Sequence, residues 1–237
     1  MTKMEAAGGG RNLTYGLLDA VGKAIVVGRY NDTPFPTEAD LAAQYEVSRS
    51  VTREAVKMLT TKGLLIARPR KGTSVQPPAV WNLLDPDVLR WMLERKFSLD
   101  LLRQFNELRT AIEPTAASLA ASASNDQGIA TIHAGYERMV AAELGDDDPL
   151  EADIAFHIAI LEASNNPFFA QFRDVVMTAL RTSIRFTNRF KGRTASLPQH
   201  RAVLTAIEEG SPERAHAAMN VLIMDVMALI ADAERAV

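Results

Sequence analysis

Apolar positions along the first third of the chain follow two different rhythms. Over residues 13–28 they fall at Leu17, Leu18, Val21, Ile25 and Val26, the spacing of a helix buried along one face. Asn31 to Pro36 breaks that rhythm with turn-forming residues. Pro36 through Leu59 then predicts two short helices joined by a tight turn. Thr37 can cap the first helix, Asp40 puts an acid in its first turn, and Leu41 is its core residue. Tyr45-Glu46-Val47 forms the turn, with Val47 filling the space between the helices, and Ser48 caps the second helix. The inward face of that helix is expected at Val51, Ala55, Met58 and Leu59, which leaves Arg49, Ser50, Thr52, Arg53 and Lys57 outward. Lys62-Gly63 ends it with a cation and a glycine suited to the left-handed conformation. Leu64 to Ala67 and Thr73 to Gln76 read as strands flanking a basic turn, Arg68-Pro69-Arg70-Lys71-Gly72. Helix, helix, helix, hairpin is the order of a winged helix-turn-helix.

After Pro77-Pro78, a stiff spacer and the expected domain boundary, only the helical period remains. Helices are predicted over 86–96, 98–123, 126–144, 149–164, 167–191, 197–209 and 212–235, separated by Asn125-Asp126, Gly145 to Pro149, Asn165-Asn166-Pro167, Leu197-Pro198 and Gly210-Ser211-Pro212. Pro114 lies inside one of these patterns and is expected to kink or split it. The fold class is therefore mainly α. A disordered leader at 1–11, a winged helix-turn-helix at 12–76 and a linker at 77–80 precede an antiparallel all-α bundle of six or seven helices at 81–237.

Composition changes this picture in two respects. The chain of 237 residues has no cysteine, which excludes disulfides and thiolate metal ligands and fits a reducing cytoplasm. No apolar leader opens it, and no run approaches the ~18 apolar residues of a membrane span, so no membrane partner is expected. The net charge of −3 conceals an asymmetry. Residues 1–80 hold 11 Lys and Arg against 7 Asp and Glu, a net +4, and the remainder holds 15 against 22, a net −7. A basic head on an acidic body orients the molecule toward phosphate.

The candidate chemistry follows from placement. In a helix-turn-helix the early part of the second helix faces base edges in the major groove. Arginine's fork matches the two guanine acceptors there, and Ser or Thr binds phosphate or either base type. Scattered basic residues more often make a solvated helix face; the capped helix, turn and capped helix tilt Arg49, Ser50 and Arg53 toward DNA. In the bundle, Asp153 and His157 project one turn apart from one helix, and His200 opens another helix. A carboxylate and two imidazoles can hold a divalent transition ion, although this spacing alone more often marks a surface pair. Arg109 and Glu113 stand at i, i+4, where an ion pair is the plain expectation. Arg181, Arg185, Asn188 and Arg189 share a helix on which Ile184 and Phe186 are the inward residues, so most of them are expected to be solvated. His133 and His216 lack a partner pattern and read as surface.

Residues 30–75 resemble the DNA-binding domain of the GntR family of bacterial transcription regulators. The resemblance rests on Pro36-Thr37-Glu38-Ala39-Asp40-Leu41-Ala42, on Val47 through Ala55, and on Gly63-Leu64-Leu65 followed by Arg70-Lys71-Gly72-Thr73. It implies that Ser48, Arg49, Ser50, Arg53 and the wing at Arg70, Lys71 and Gly72 meet DNA, with Thr37 beside them; an arginine common at the place of Ala39 is missing. Residues 81–237 resemble the FCD effector domain of the FadR-type branch, through Glu107-Leu108-Arg109 with Glu113, Asp153 to His157 with Asn166-Pro167, and His200 with Ala206 to Gly210. That likeness implies metal ligands at Asp153, His157 and His200, with zinc first and nickel or manganese as alternatives. The family's last histidine falls at Leu222, which cannot ligate; either three ligands suffice, with water or the effector completing the shell, which is the expectation, or this member has lost its metal. Arg109 matches the pocket arginine that clamps a carboxylate; Glu113, Arg185 and Asn188 complete the candidate effector set. Trp81 to Trp91 resembles the linker of galactonate-type sugar-acid repressors, which implies an aldonate as the carboxylate effector. The expected molecule is a cytoplasmic homodimeric repressor on a pseudo-palindromic operator, with no catalytic residues. Two alternatives stand beside it: the same regulator answering to an acyl-CoA or amino-acid-derived acid without metal, and a metal-dependent hydrolase with a DNA-binding head.

Overall fold

The computed structural model describes residues 10–70, 72–95, 99–181 and 196–235, in two compact units, Met1–Lys96 and Phe97–Val237. The first unit runs α1 (Gly10–Val26), α2 (Glu38–Gln44), α3 (Arg49–Thr61), β1 (Leu65–Arg68), β2 (Gly72–Val75), a 3₁₀ turn (Pro78–Val80) and α4 (Pro86–Arg95). Helix α1 starts at Gly10, two residues inside the stretch expected as a leader. Its stripe of Leu17, Leu18, Val21, Ile25 and Val26 is buried with Leu41, Ala55, Leu59, Leu64 and Leu65.

The same core continues past Pro77-Pro78. Trp81, Val88 and Trp91 are buried in it, so the first unit reaches Lys96 and the proline spacer lies within it. The cause is α4, which packs on α1. A Cβ at Gly22 would stand 2.3 Å from the Trp91 ring, so only glycine permits this contact. Trp91 Nε1 and Arg90 Nη1 both donate to Asp19 Oδ1, at 2.8 and 2.9 Å. Lys62, at the end of α3, meets Asp85 at 2.8 Å and Asp87 at 2.9 Å from its own half-buried position.

The buried face of α3 differs from expectation by a rotation of about one position. Thr52, Ala55, Val56 and Leu59 are buried, while Val51 and Met58 are half-buried. Thr52 was expected outward; its Oγ1 donates to the Ser48 carbonyl at 3.2 Å, which satisfies the hydroxyl inside its own helix and lets the methyl go in. In the wing, β1 and β2 pair antiparallel with Leu65 opposite Val75 and Arg68 opposite Gly72, so β1 lies one residue later and β2 one residue earlier than the pattern suggested. Gly72 has φ +78 with nothing within 4 Å of an added Cβ, so conformation and not crowding selects glycine there.

The second unit is the expected bundle: α5 (Leu99–Ala123), α6 (Asp126–Leu144), α7 (Pro149–Ala163), the short α8 (Pro167–Ala170), α9 (described over 173–181), α10 (Leu197–Glu208) and α11 (Pro212–Arg235). Asn125 caps α6 and the left-handed Gly145 ends it, while Asp148 and Pro149 open α7, as their side-chain chemistry favours. One expected helix, 167–191, is broken at residues 171–172; positions 182–191 lie outside the described residues. Pro114 does not split α5, which runs through it as one helix packed on α11 and α7. Contacts along both neighbours offset the one backbone bond the proline removes.

Helix α7 is the centre. Ala152, Ile154, Phe156, Ile158, Ala159, Ile160 and Leu161 are buried around its circumference, the signature of a core helix. α5 and α6 flank it, and α10 packs on α5, α6 and α11. Helix α11 amends one expectation, since by length and composition it could cross a membrane. Its Ala215, Met219, Leu222 and Ile223 belong instead to the bundle core.

Candidate functional site

Two sites emerge, one exposed and one buried. At the first, Thr37 and Asp40 form a reciprocal cap on α2: Asp40 N donates to Thr37 Oγ1 at 3.2 Å and Thr37 N to Asp40 Oδ2 at 3.0 Å. Thr37 Oγ1 donates to Asp40 Oδ2 as well, and that bond with the one from Thr37 N holds the Asp40 carboxyl below its ordinary value. Ser48 Oγ accepts from Val51 N at 3.3 Å and lies 2.9 Å from Ser50 Oγ, so both hydroxyls sit at the start of α3. Arg49, Ser50, Arg53 and Lys57 are exposed along the same face. Arg53 approaches Glu38 of α2 at 3.7 Å. At the wing tip Arg70 is exposed with φ +63; Lys71 lies outside the described residues. Ala39 is exposed beside these residues and offers no polar group.

The second site is assembled by α5, α7 and the first turn of α10. Asp153 Oδ1 stands 2.9 Å from His200 Nε2 and 3.8 Å from His157 Nε2. One donor atom from each residue fits within 4.8 Å of the other two. All three side chains are buried. Although 2.9 Å apart, Asp153 Oδ1 and His200 Nε2 are not aligned as acceptor and donor, and both are left without a hydrogen bond. Buried polar atoms seldom stay unpaired. These two unpaired atoms and the Nε2 of His157, which Arg109 Nη2 approaches at 3.5 Å, converge in a way that fits a cation between them.

Behind these donors lies a charge network. Arg109 Nε and Nη2 donate to the two oxygens of Glu113 at 2.5 and 3.2 Å, and Arg109 Nη1 donates to Asn106 Oδ1 at 3.2 Å. Glu113 Oε2 also lies 2.5 Å from His157 Nδ1. Burial would raise the Glu113 carboxyl, but the Arg109 charge and the side-chain contacts with His157 and Arg109 outweigh it and hold it down at about 2. Asp153 is likewise lowered despite burial, first by its contact with His200 and further by the Arg109 charge.

The structure thus brings Arg109 and Glu113 together with the Asp153, His157 and His200 set. The expected Arg109–Glu113 ion pair is present. Arg185 and Asn188 fall outside the described residues, as do Ile184, Phe186 and Arg189. Arg181 binds Glu151 of α7 at 2.5 and 2.9 Å. Leu222 is buried in the apolar core, and among the described residues no fourth protein donor joins the three. Asn106 was not anticipated, yet its place three residues before Arg109 on one helix face was a readable signal. A surface hollow of about 440 Å³ lined by Ser122, Ser164, Asn165 and Phe168 shares no residue with this cluster.

Residues 19–75 match the family described as bacterial regulatory proteins, gntR family, and residues 104–224 match the FCD domain. The chain is 31% identical to the galactonate operon transcriptional repressor of Escherichia coli (strain K12) over 217 residues, covering 90% of this chain and 94% of that one. It belongs to the GntR family. Its solved GntR-family likenesses include Streptococcus agalactiae GntR, with TM-score 0.50 and 27% identity over 91% of this chain and 99% of that one. The Listeria monocytogenes regulator Lar shares the fold, with TM-score 0.59 and 18% identity over 97% and 99% of the two chains. As a GntR-family chain with an FCD domain, it is a ligand-responsive, DNA-binding transcription regulator built from a winged helix-turn-helix and a helical effector unit.

Proposed function

We propose that the chain is a repressor acting as a homodimer that grips a pseudo-palindromic operator through α3 and the wing, and lets go when a small carboxylate reaches the buried cluster. Ser48, Arg49, Ser50 and Arg53 are the candidate groove contacts, with Thr37, Arg70, Lys71 and Gly72 on the backbone. The exposure of the whole polar face at the N-terminal end of α3, next to a capped helix start, supports this assignment. Asp153, His157 and His200 would hold a divalent ion, zinc first by the two-nitrogen, one-oxygen donor set, with nickel or manganese as alternatives. Such an ion supplies a Lewis-acidic anchor for a carboxylate oxygen. The observation that carries this reading is the pair of unbonded buried atoms, Asp153 Oδ1 and His200 Nε2.

The name of the galactonate operon repressor points to a sugar acid for that protein, and an aldonate is the corresponding proposal here. In this arrangement Arg109 is committed to Glu113 and Asn106, so an effector carboxylate must displace one of those bonds to use the guanidinium. Coupling between effector and operator is reciprocal, so operator DNA weakens effector binding by the factor by which effector weakens DNA binding. The test is titration of the full chain, purified without chelator, with galactonate in the presence and absence of operator duplex and with metal analysis of the same sample. Stoichiometric metal and equal coupling factors support the reading. Metal-free protein with undiminished galactonate response would refute the metal half, and DNA affinity indifferent to every aldonate would refute the effector half.

A further inference from the structure

Both histidines of the cluster present Nε2 to Asp153, and each has its Nδ1 occupied. His200 Nδ1 lies 2.8 Å from the Ser196 carbonyl one turn earlier, and His157 Nδ1 lies 2.5 Å from Glu113 Oε2. A carbonyl and a carboxylate can only accept, so each Nδ1 must carry its proton. Each Nε2 is then a bare lone pair directed at the shared centre. The two anchors differ in kind. Ser196 offers a neutral backbone oxygen, while Glu113 offers a fully buried anion fixed in turn by Arg109, which Asn106 holds on its far side. Arg109 Nη2 lies within hydrogen-bonding reach of both His157 ring nitrogens, at 3.5 Å from each, but the Glu113 contact at 2.5 Å is much the shorter and places the Nδ1 proton.

We propose that Glu113 is the positioning residue of the metal site: it orders His157 into the Nδ1–H tautomer and strengthens Nε2 as a donor, without touching the ion. Glu113 stands outside the set of donors that fit within 4.8 Å of one another, on the ring nitrogen opposite the one that faces Asp153. A carboxylate behind a ligating imidazole raises its basicity and fixes its orientation. This assignment also changes the meaning of the Arg109–Glu113 pair: the arginine holds the Glu113 carboxyl in place behind the ring. It rests on the metal-site reading given above, and its test separates the two.

The full-length apo protein is labelled with ¹⁵N-histidine, its His157 tautomer is read from the ring nitrogen shifts at alkaline pH, and the same sample is titrated with zinc ion alone. In the wild type, Nδ1 is protonated and Nε2 is pyridine-like. Glu113→Gln shifts His157 toward the other tautomer and lowers zinc affinity by about 10- to 100-fold, while the His200 signals stay in place. Because Glu113→Gln leaves the Arg109 charge unpaired, a second variant, Arg109→Met with Glu113→Leu, removes the carboxylate without stranding a charge, and it shows the same loss. A wild-type chain that fails to bind zinc overturns the metal-site reading, and the apo tautomer still scores Glu113. Wild-type zinc affinity in both variants, or a protonated Nε2 in the wild type, overturns the role given to Glu113.

Discussion

Arg53 and Glu38 meet across α3 and α2 at 3.7 Å with both side chains open to water; Arg109 and Glu113 meet along α5 at 2.5 Å with both almost completely enclosed. The chemistry of the two pairs is the same. Their surroundings give them different work. In water the Coulomb attraction is screened and the side chains stay free to leave, which suits a surface that must exchange its partner for phosphate. In the bundle neither charge can be stranded without a large cost, which suits a scaffold that must hold imidazoles in one orientation.

The largest effect that would break this contrast lies at Glu113. Glu113→Leu leaves the buried Arg109 guanidinium without the anion that pairs with it, and should destabilise the helical unit by about 3–5 kcal/mol in chemical denaturation. Adding Arg109→Met should restore most of that loss. If the single change costs no more than a surface pair does, the distinction drawn between the two regions fails. The same pair predicts acid sensitivity. Its folded-state carboxyl sits at about 2, below the ordinary 4.5, so its stabilisation is complete above pH 4.5 and is lost as pH falls from there toward 2. Unfolding free energy measured across that window should fall in the wild type and stay flatter in the double variant.

At the exposed end of the comparison, Arg49→Ala should weaken operator binding by about 1–3 kcal/mol and relax preference at one base position, with folding stability unchanged. Binding profiles over single-base operator variants read both. A loss spread uniformly over all duplexes would move Arg49 from base reading to phosphate contact and sharpen the picture of α3.

The two regions also differ in how far their chemistry could be read from the chain. The winged unit is local: cap, turn, cap and wing lie within forty consecutive positions, and Thr37, Ser48 and Gly72 stand where turn and capping chemistry puts them. Even there, Thr52 went inward because its hydroxyl could bond its own helix, which a polar-versus-apolar pattern does not register. Trp81 and Trp91 joined the first core for a similar reason: an apolar period says that a face is buried, and not against which partner. The bundle's helix ends were legible from Asn125, Gly145, Asp148 and Pro149. Its site was legible only as donor types, Asp153, His157 and His200. The bond from Glu113 to His157 joins positions 44 residues apart in the numbering and leaves no periodic trace.

A smaller effect tests the local half of that lesson. Thr37 is both a candidate backbone contact and the cap of α2, and its Oγ1 also donates to Asp40 Oδ2 at 2.6 Å. Thr37→Ala should cost the winged unit about 1 kcal/mol of stability, and Thr37→Ser should recover it. Thermal unfolding of the two variants decides whether capping, and not DNA contact alone, explains the residue.

The smallest predicted effect returns to the surface pair. Glu38→Gln removes the carboxylate beside Arg53, whose own side chain is 76% exposed. Folding stability should change by less than about 0.5 kcal/mol, because an exposed pair at this separation gains little over two hydrated ions. DNA binding should move in the other direction from Arg49→Ala. Arg53 no longer has an anion to leave, and one negative charge is gone from the face that approaches phosphate, so affinity rises slightly on every duplex and most at low salt. If Glu38→Gln instead destabilised the unit by as much as Glu113→Leu does the bundle, burial would not be what separates the two pairs. The contrast would then have to be sought in the helices that carry them.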